Sequence, residues 1–344
     1  MEIIVPAAGL STRFPGTRPK YLLYDYTGTL MLRKSLEPYL DKYNITIGLL
    51  KEHDEQHHAS EMIFRELGSA VRVVVLDERT AGPADTVYQI IKRASIPPSA
   101  DIFIKDCDSF FDHNYTPGNY VCVSKIADHE VLKKLSSKSF VVANEQQIIQ
   151  NIIEKTVVSD TFCVGGYKFE SAKLFVDTFE KLSAENIKEI FVSHIIQDCL
   201  IKEHIFETKA VTDYVDVGTL TDWVEYNDRP VIFCDIDGTL IRAQSKHGPN
   251  SYNSPYTPLV NNVNRILALQ NKGCQLIFTT ARPDRARSIT TNMLNELGFK
   301  DFTLIMNLNN SARILINDYN EANPYPRASA INIKRNQDNL GDFI

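Results

Sequence analysis

Short aliphatic runs, separated by stretches with the period of amphipathic helices, mark out the first two-thirds of this chain. The runs over 2–5, 45–49, 71–76, 102–105 and 120–124 are apolar and bounded by turn formers, and predict strands. Between them, 30–41, 55–67 and 83–94 gather apolar residues on one helical face. Strand and helix in alternation predict a mostly parallel sheet with helices on both faces. Further on, 140–143 and 148–154 read as a strand pair and 161–169 as another strand. Helical patterns cover 171–182 and 191–202, followed by strands over 206–211 and 214–217.

The stretch 221–229 reads as a short helix leading to Pro230, a natural boundary because the residue before proline is pushed out of the helical region. Beyond it lie roughly 115 residues, the size of one domain. Their pattern predicts a strand over 231–235, a polar proline-bearing loop over 245–258 and a helix over 259–271. Then come a strand over 275–279, a helix over 284–297 and strands over 302–306 and 313–317. The polar tail from Asn336 is expected to fray. The predicted fold class is α/β throughout. Residues 1–228 form a Rossmann-like, mostly parallel mixed sheet, and residues 230–344 form a small α/β domain. A length of 344 residues at about 150 per domain agrees with two.

Composition narrows the function classes. A net charge of −6 gives no basic face of the kind that follows a phosphate backbone, so no nucleic-acid partner is expected. Cys107, Cys122, Cys163, Cys199, Cys234 and Cys274 are scattered with no CxxC pair, several within apolar runs, and predict neither a zinc site nor a disulfide framework. The chain enters its first strand without a charged leader, and no apolar run approaches the ~20 residues of a membrane span. These features predict a soluble cytoplasmic protein with no membrane partner. Homo-oligomerisation remains compatible with the sequence.

Candidate chemistry gathers at strand ends. The first strand empties into Pro6-Ala7-Ala8-Gly9-Leu10-Ser11-Thr12-Arg13-Phe14, with Pro19-Lys20 shortly after. Small residues at Ala8 and Gly9 let backbone N–H groups approach phosphate oxygens, and Arg13 and Lys20 suit a polyphosphate. Asp106-Cys107-Asp108 closes a second apolar strand and Asp216-Val217-Gly218-Thr219 a third. Two carboxylates at strand ends are what a Mg²⁺ held by one or two carboxylates plus substrate phosphates requires. His53, His57 and His58 fall in a polar helical stretch and read as solvated surface.

Taken in order with Gly82-Pro83-Ala84-Asp85-Thr86, Glu154-Lys155 and Gly165-Gly166-Tyr167, these residues make 1–228 resemble the sugar-1-phosphate nucleotidyltransferases, or NDP-sugar pyrophosphorylases. The resemblance implies that Asp108 and Asp216 bind Mg²⁺ and that Arg13 and Lys20 hold the triphosphate. It implies that Ala8, Gly9, Gly82, Pro83, Ala84 and Asp85 bind the nucleotide, and that Glu154, Lys155 and Gly166 contact the acceptor. The implied reaction is in-line attack by an acceptor phosphate oxygen on the α-phosphorus of an NTP, releasing pyrophosphate. Three departures stand out. The opening is Pro-Ala-Ala-Gly where many relatives have Gly-Gly, and Tyr21-Leu22-Leu23 follows Lys20 where many have a second proline. Lys105-Asp106-Cys107 replaces the common glycine before the metal aspartate, so Asp106 is a candidate to share the ligand role.

The strand over 231–235 runs into Asp235-Ile236-Asp237-Gly238-Thr239-Leu240. Asp235 and Asp237 are two apart and point the same way. One carboxylate can attack phosphorus while the other handles the leaving-group proton and later activates water. The strand over 275–279 ends at Thr279-Thr280-Ala281-Arg282, offering hydroxyl and guanidinium donors to a phosphoryl group. The last strand ends at Asn317-Asp318, where Asp318 can help Asp235 hold Mg²⁺. Residues 230–335 resemble the haloacid dehalogenase (HAD) superfamily of phosphatases, whose signature is this DxDGT run. The resemblance implies Asp235 as nucleophile, Asp237 as acid/base, Thr279 or Thr280 on phosphate, and Asp318 with Asp235 and Asp237 at the metal. Lys300, Arg282 and Arg313 are the candidates for the family's upstream cation. The insert between Leu240 and Leu259 is too short for a large cap, which makes the module capless.

Two such sites on one chain imply two steps of one pathway. The leading reading is a bifunctional enzyme of activated-sugar or activated-polyol synthesis, of the kind that supplies capsule or surface polysaccharide. Its partners are an NTP and a phosphorylated small-molecule acceptor. One alternative is a cytidylyltransferase for a non-sugar alcohol or amine phosphate carrying a degenerate HAD module. The other is a nucleotide-binding regulator without turnover.

Overall fold

Two units, Met1–Asn227 and Asp228–Ile344, make up the computed structural model, which describes residues 1–129, 138–185, 187, 189–243, 255–317 and 328–344. The first unit opens with β1 (Glu2–Pro6), α1 (Met31–Leu36), β2 (Asn44–Leu50), α2 (Lys51–His57), α3 (Ala59–Leu67), β3 (Val71–Leu76) and α4 (Pro83–Arg93). It continues through β4 (Ile102–Lys105), β5 (Ser109–Asp112), β6 (Asn119–Lys125), β7 (Ser139–Ala143), β8 (Ile149–Glu154) and β9 (Thr161–Phe169). It closes with α5 (Ala172–Ala184), α6 (Val192–Ile201), β10 (Phe206–Ala210), β11 (Thr212–Asp216) and α7 (Leu220–Asn227).

The main sheet has the order β10-β6-β9-β4-β1-β2-β3. Its centre, β4-β1-β2-β3, is parallel, and β9 enters antiparallel between β4 and β6. This is the mixed α/β architecture with a mostly parallel centre that the alternating pattern predicts. Alternation along β1 divides its side chains between two cores. Ile4 packs with Ile90 of α4 and Ile195 of α6, while Ile3 and Val5 pack with Leu36 of α1 and Ile63 of α3. All three β1 residues are fully buried, as a central parallel strand covered on both faces should be. Apart from this sheet, β5 and β11 pair antiparallel with Asp216 opposite Ser109.

Several elements differ from their sequence signals. The helix expected over 30–41 stops at Leu36, two residues before Pro38, whose ring cannot continue it. The expected helix over 55–67 is two helices broken at His58, which adopts φ 51°. Strand β5 lies in a stretch that carries no strand signal. His53 is buried rather than solvated: its Nδ1 lies 3.2 Å from the buried Tyr21 hydroxyl, and burial lowers its pKa.

The second unit contains β12 (Val231–Asp235), α8 (Val260–Asn271), β13 (Gln275–Thr279), α9 (Arg287–Glu296) and β14 (Thr303–Ile305). The strands pair in parallel in the order β12-β13-β14. Parallel crossovers between consecutive neighbours, right-handed by the general rule, would send both helices to one face. There Cys234, Leu276 and Phe278 pack with Ile266 of α8 and Leu294 of α9. The strand expected over 313–317 is not formed, and Ile314 and Ile316 are 85% and 90% exposed. Residues 245–254 of the expected loop lie outside the described residues.

The tail does not fray. Leu340 is buried in the core of the second unit, and its N–H donates to Asn262 Oδ1 at 2.7 Å. Asp338 accepts from the N–H groups of Asn261 and Asn262 at 3.2 and 2.8 Å, capping α8 from a distant part of the chain. No helix among the described residues is long and apolar enough to cross a membrane.

Candidate active sites

After Pro6 the chain leaves the sheet in a loop anchored at both ends. Ser11, at φ 52°, accepts the Lys20 N–H on its Oγ at 3.1 Å, and Phe14 is buried beside Met31, Val217 and Trp223. The loop walls a cavity of about 770 Å³. Ala8, Gly9, Arg13, Lys20, Gly82, Pro83, Asp108, Glu154, Lys155 and Asp216 all line it, so residues from distant parts of the sequence meet there.

The carboxylates at its floor are brought together by the β5–β11 pairing. Asp108 immediately precedes β5, Asp216 ends β11, and the Val217 N–H donates to the Asp108 carbonyl at 3.0 Å. Both side chains turn toward Gly218. A Cβ at that position would lie 3.0 Å from Asp216 Oδ1 and 3.2 Å from Asp108 Oδ2, tighter than an ordinary contact. Each carboxylate holds a lysine: Lys20 Nζ lies 2.5 Å from Asp108 Oδ2, and Lys138 Nζ pairs with Asp216 Oδ2. Arg13 adds a longer contact to Asp108 at 3.6 Å. Burial disfavours the Asp108 anion, but the charge and hydrogen bond of Lys20 outweigh it and hold the carboxyl well below the usual range. The same pair raises the Lys20 pKa against the opposing effect of burial. The present partners of Asp108 and Asp216 are thus lysine ammonium groups.

Asp106 lies on the cavity wall but plays a different part. Its Oδ2 presses on Gly165, and burial, followed by the charge of Asp108, pushes its pKa above the ordinary range. Beneath it, Lys105 is fully buried and donates to the Asp106 carbonyl at 2.8 Å and to the Ser109 carbonyl and Oγ at 2.6 and 3.0 Å. Its ammonium thus fastens the turn that presents Asp108.

On the opposite wall Glu154 is fixed by two hydroxyls, accepting from Ser139 at 2.5 Å and from Ser193 at 2.7 Å. Lys155 adopts φ 57° and sets its ammonium 4.2 Å from the centre of the Phe191 ring. Ala84, Asp85 and Gly166 do not line the cavity. Ala84 is fully buried in the first turn of α4, and the Asp85 carboxylate accepts from Ala81 N–H at 2.8 Å and Gln89 Nε2 at 3.2 Å, closing the start of that helix. Gly166 is wedged against Phe111 and Cys122, where a Cβ would come within 2.8 and 2.9 Å. Lys138, Ser139, Ser193 and Phe191 line or brace the cavity with no motif to announce them.

In the second unit the parallel register sets Asp235 beside Thr279 at the ends of β12 and β13. Gly238, at φ 96°, turns the chain directly after Asp237 in a conformation that favours glycine. Of the candidate upstream cations, Arg313 reaches Asp235 Oδ1 at 3.2 Å. Burial and the charge of Asp237 raise the Asp235 pKa, and Arg313 opposes them. Arg282 is buried and grips Asp237 with two bonds, Nε to Oδ2 at 2.9 Å and Nη2 to Oδ1 at 2.8 Å. Thr280 also points to Asp237, at 3.3 Å, whereas Thr279 faces the Cys234 carbonyl at 3.5 Å. Arg335, which no sequence motif marks, lays its side chain over Gly238 and is one of the charges acting on Asp235. Asp318 lies outside the described residues. Among the described residues no three His, Cys, Asp or Glu side chains gather at one point.

Residues 232–328 match the family model of the haloacid dehalogenase-like hydrolases. The N-terminal part shares its fold with the nucleoside-diphosphate-sugar pyrophosphorylase from Vibrio cholerae RC9, at TM-score 0.56 and 17% identity over 65% of this chain and 98% of that one. It shares it also with the inositol-1-phosphate CTP transferase from T. maritima, at TM-score 0.53 and 18% identity over 64% and 90% of the two chains. At these identities the likeness is one of fold. A search of curated protein sequences finds no match.

Proposed function

We propose that the first unit transfers a nucleotidyl group from an NTP to a sugar phosphate, releasing pyrophosphate. The observation that carries this reading is the convergence of Asp108 and Asp216 on Gly218, in a cavity that also holds Arg13 and Lys20. The donor set fits Mg²⁺, a hard cation that accepts one or two carboxylates and fills its remaining positions with phosphate oxygens and water. Bound there, the ion would supply charge neutralisation at the reacting phosphates.

The chain's own residues do the rest. Arg13, Lys20 and the N–H groups near Ala8 and Gly9 hold the triphosphate, and the Gly82–Pro83 corner borders the nucleoside. Glu154, fixed by Ser139 and Ser193, accepts hydrogen bonds from acceptor hydroxyls, and Lys155 draws the acceptor phosphate inward. An acceptor phosphate oxygen bonds to the α-phosphorus as the bond to the β-phosphate bridging oxygen breaks. The nucleophile is already anionic, so no general base is required, and catalysis is positioning and neutralisation. The test is Mg²⁺-dependent pyrophosphate release from each common NTP against sugar and polyol phosphates, with Asp108→Asn as the blank. Release above the blank with one acceptor class supports the reading; nucleotide binding without release from any pair sinks it.

For the second unit we infer a phosphomonoester site at Asp235, supported by the family match, the register beside Thr279 and the Arg313 contact. One observation favours a second reading, a module that binds phosphate without turnover. Arg282 occupies both oxygens of Asp237, the carboxylate that would have to exchange protons with the leaving group. Phosphate release from phosphomonoesters, lost in Asp235→Asn, separates hydrolysis from binding.

A further inference from the structure

The first site contains a cation that no sequence motif marks. Lys138 precedes β7, lines the cavity and has a side chain only 14% exposed. Its ammonium pairs with Asp216 Oδ2 and donates to the Tyr214 hydroxyl at 2.8 Å. Its carbonyl accepts the Lys155 N–H at 2.9 Å, and the next residue, Ser139, holds Glu154. One residue therefore joins the carboxylate floor to the wall where the acceptor is placed.

We propose that Lys138 is a substrate-binding residue whose ammonium, held on Asp216 in the ligand-free chain, passes to the acceptor's phosphate when a divalent cation takes Asp216. The inference rests on the nucleotidyl-transfer reading above. Both Asp216 oxygens are engaged, Oδ1 by the Gly218 N–H at 2.9 Å and Oδ2 by Lys138. A cation held by Asp216 Oδ2 would compete with the ammonium for it. A displaced ammonium with so little solvent access needs another anion nearby. In-line attack brings the acceptor phosphate to this floor, against the repulsion of the triphosphate. Arg13 and Lys20 lie on the Asp108 side, and Lys138 supplies the matching charge on the Asp216 side.

Lys138→Met keeps the length of the side chain and removes the charge. Mn²⁺ binding to the nucleotide-free protein, followed by electron paramagnetic resonance, is expected to tighten about tenfold because the competing ammonium is gone. In steady-state assays the acceptor KM is expected to rise about 10- to 100-fold while the nucleotide KM moves less than about twofold. Lys138→Arg, which restores the charge, should recover much of the acceptor KM. Unchanged Mn²⁺ affinity in Lys138→Met, or equal losses for both substrates, overturns the proposal. If no acceptor supports pyrophosphate release, the transfer reading fails by itself. The Mn²⁺ measurement then still decides whether Lys138 and the cation compete for Asp216.

Discussion

Gly218 shows how much chemistry a missing side chain can carry. The sequence marks it as part of a turn after an aspartate, but the space beside it is bounded by two carboxylates from distant parts of the chain. Gly218→Ala would push a methyl group against both, and their oxygens would have to give by a few tenths of an ångström. We expect a loss of about 10- to 100-fold in kcat/KM for pyrophosphate release, with little change in thermal stability. An unimpaired enzyme would mean the carboxylates are not held where the reaction needs them. His113 carries a different prediction. Its ring nitrogens lie 3.1 Å from the hydroxyls of Tyr39 and Tyr120, and burial, helped by Lys105, lowers its pKa to about 4. The unfolded chain, with a histidine near pKa 6.5, binds the proton that the folded chain refuses. Stability should therefore rise from about pH 4 to pH 6.5 and level off above, by on the order of 2–3 kcal/mol from this group. Trp223, buried in the first unit, gives the fluorescence signal for denaturant titrations. That part of the slope should vanish in His113→Gln.

Elements are legible where burial and periodicity agree, and illegible where a partner decides the outcome. Strand β1 announces itself because a central parallel strand is apolar on both faces. Strand β5 does not, because its apolar run is just Phe110-Phe111 between the polar Ser109 and Asp112, and it takes strand form by pairing with β11. The stretch 313–317 errs in the other direction: it has the composition of a strand, yet it joins no ladder among the described residues. Lys105, which reads as an odd replacement in a signature, is explained by its three buried acceptors. The tail gives no readable signal because its anchors are polar side chains together with Leu340 and Ile344, a pattern without period. Asp338 lends α8 the cap that Leu259 cannot provide, so Asp338→Ala should cost the second unit about 1 kcal/mol. Faster hydrogen exchange at the Asn261 and Asn262 amides would report it, and unchanged protection would show the cap to be idle.

At the scale of the whole molecule, most of the first site's residues can be named from sequence because their chemistry is concentrated in short ordered runs. The residues that escape, Lys138, Ser139 and Ser193, belong to a wall that exists only after β7, β8 and α6 are folded together. In the second unit the acidic pair is legible and its grip by Arg282 is not, since a guanidinium at a strand end serves a substrate phosphate or a neighbouring carboxylate equally well. Each unit has its own sheet, its own core and its own acidic pair, so each should work without the other's chemistry. Asp235→Asn is therefore expected to remove phosphate release and leave pyrophosphate release near its original rate, and Asp108→Asn to do the reverse. Measuring both products from both variants in parallel checks this. If Asp235→Asn lost both, the two units would have to share a substrate-dependent step, because neither variant removes an apolar side chain from a core. If Asp235→Asn changed neither, the Arg282 grip on Asp237 would stand as the structural reason, and the second unit would be a phosphate-binding module beside an active transferase.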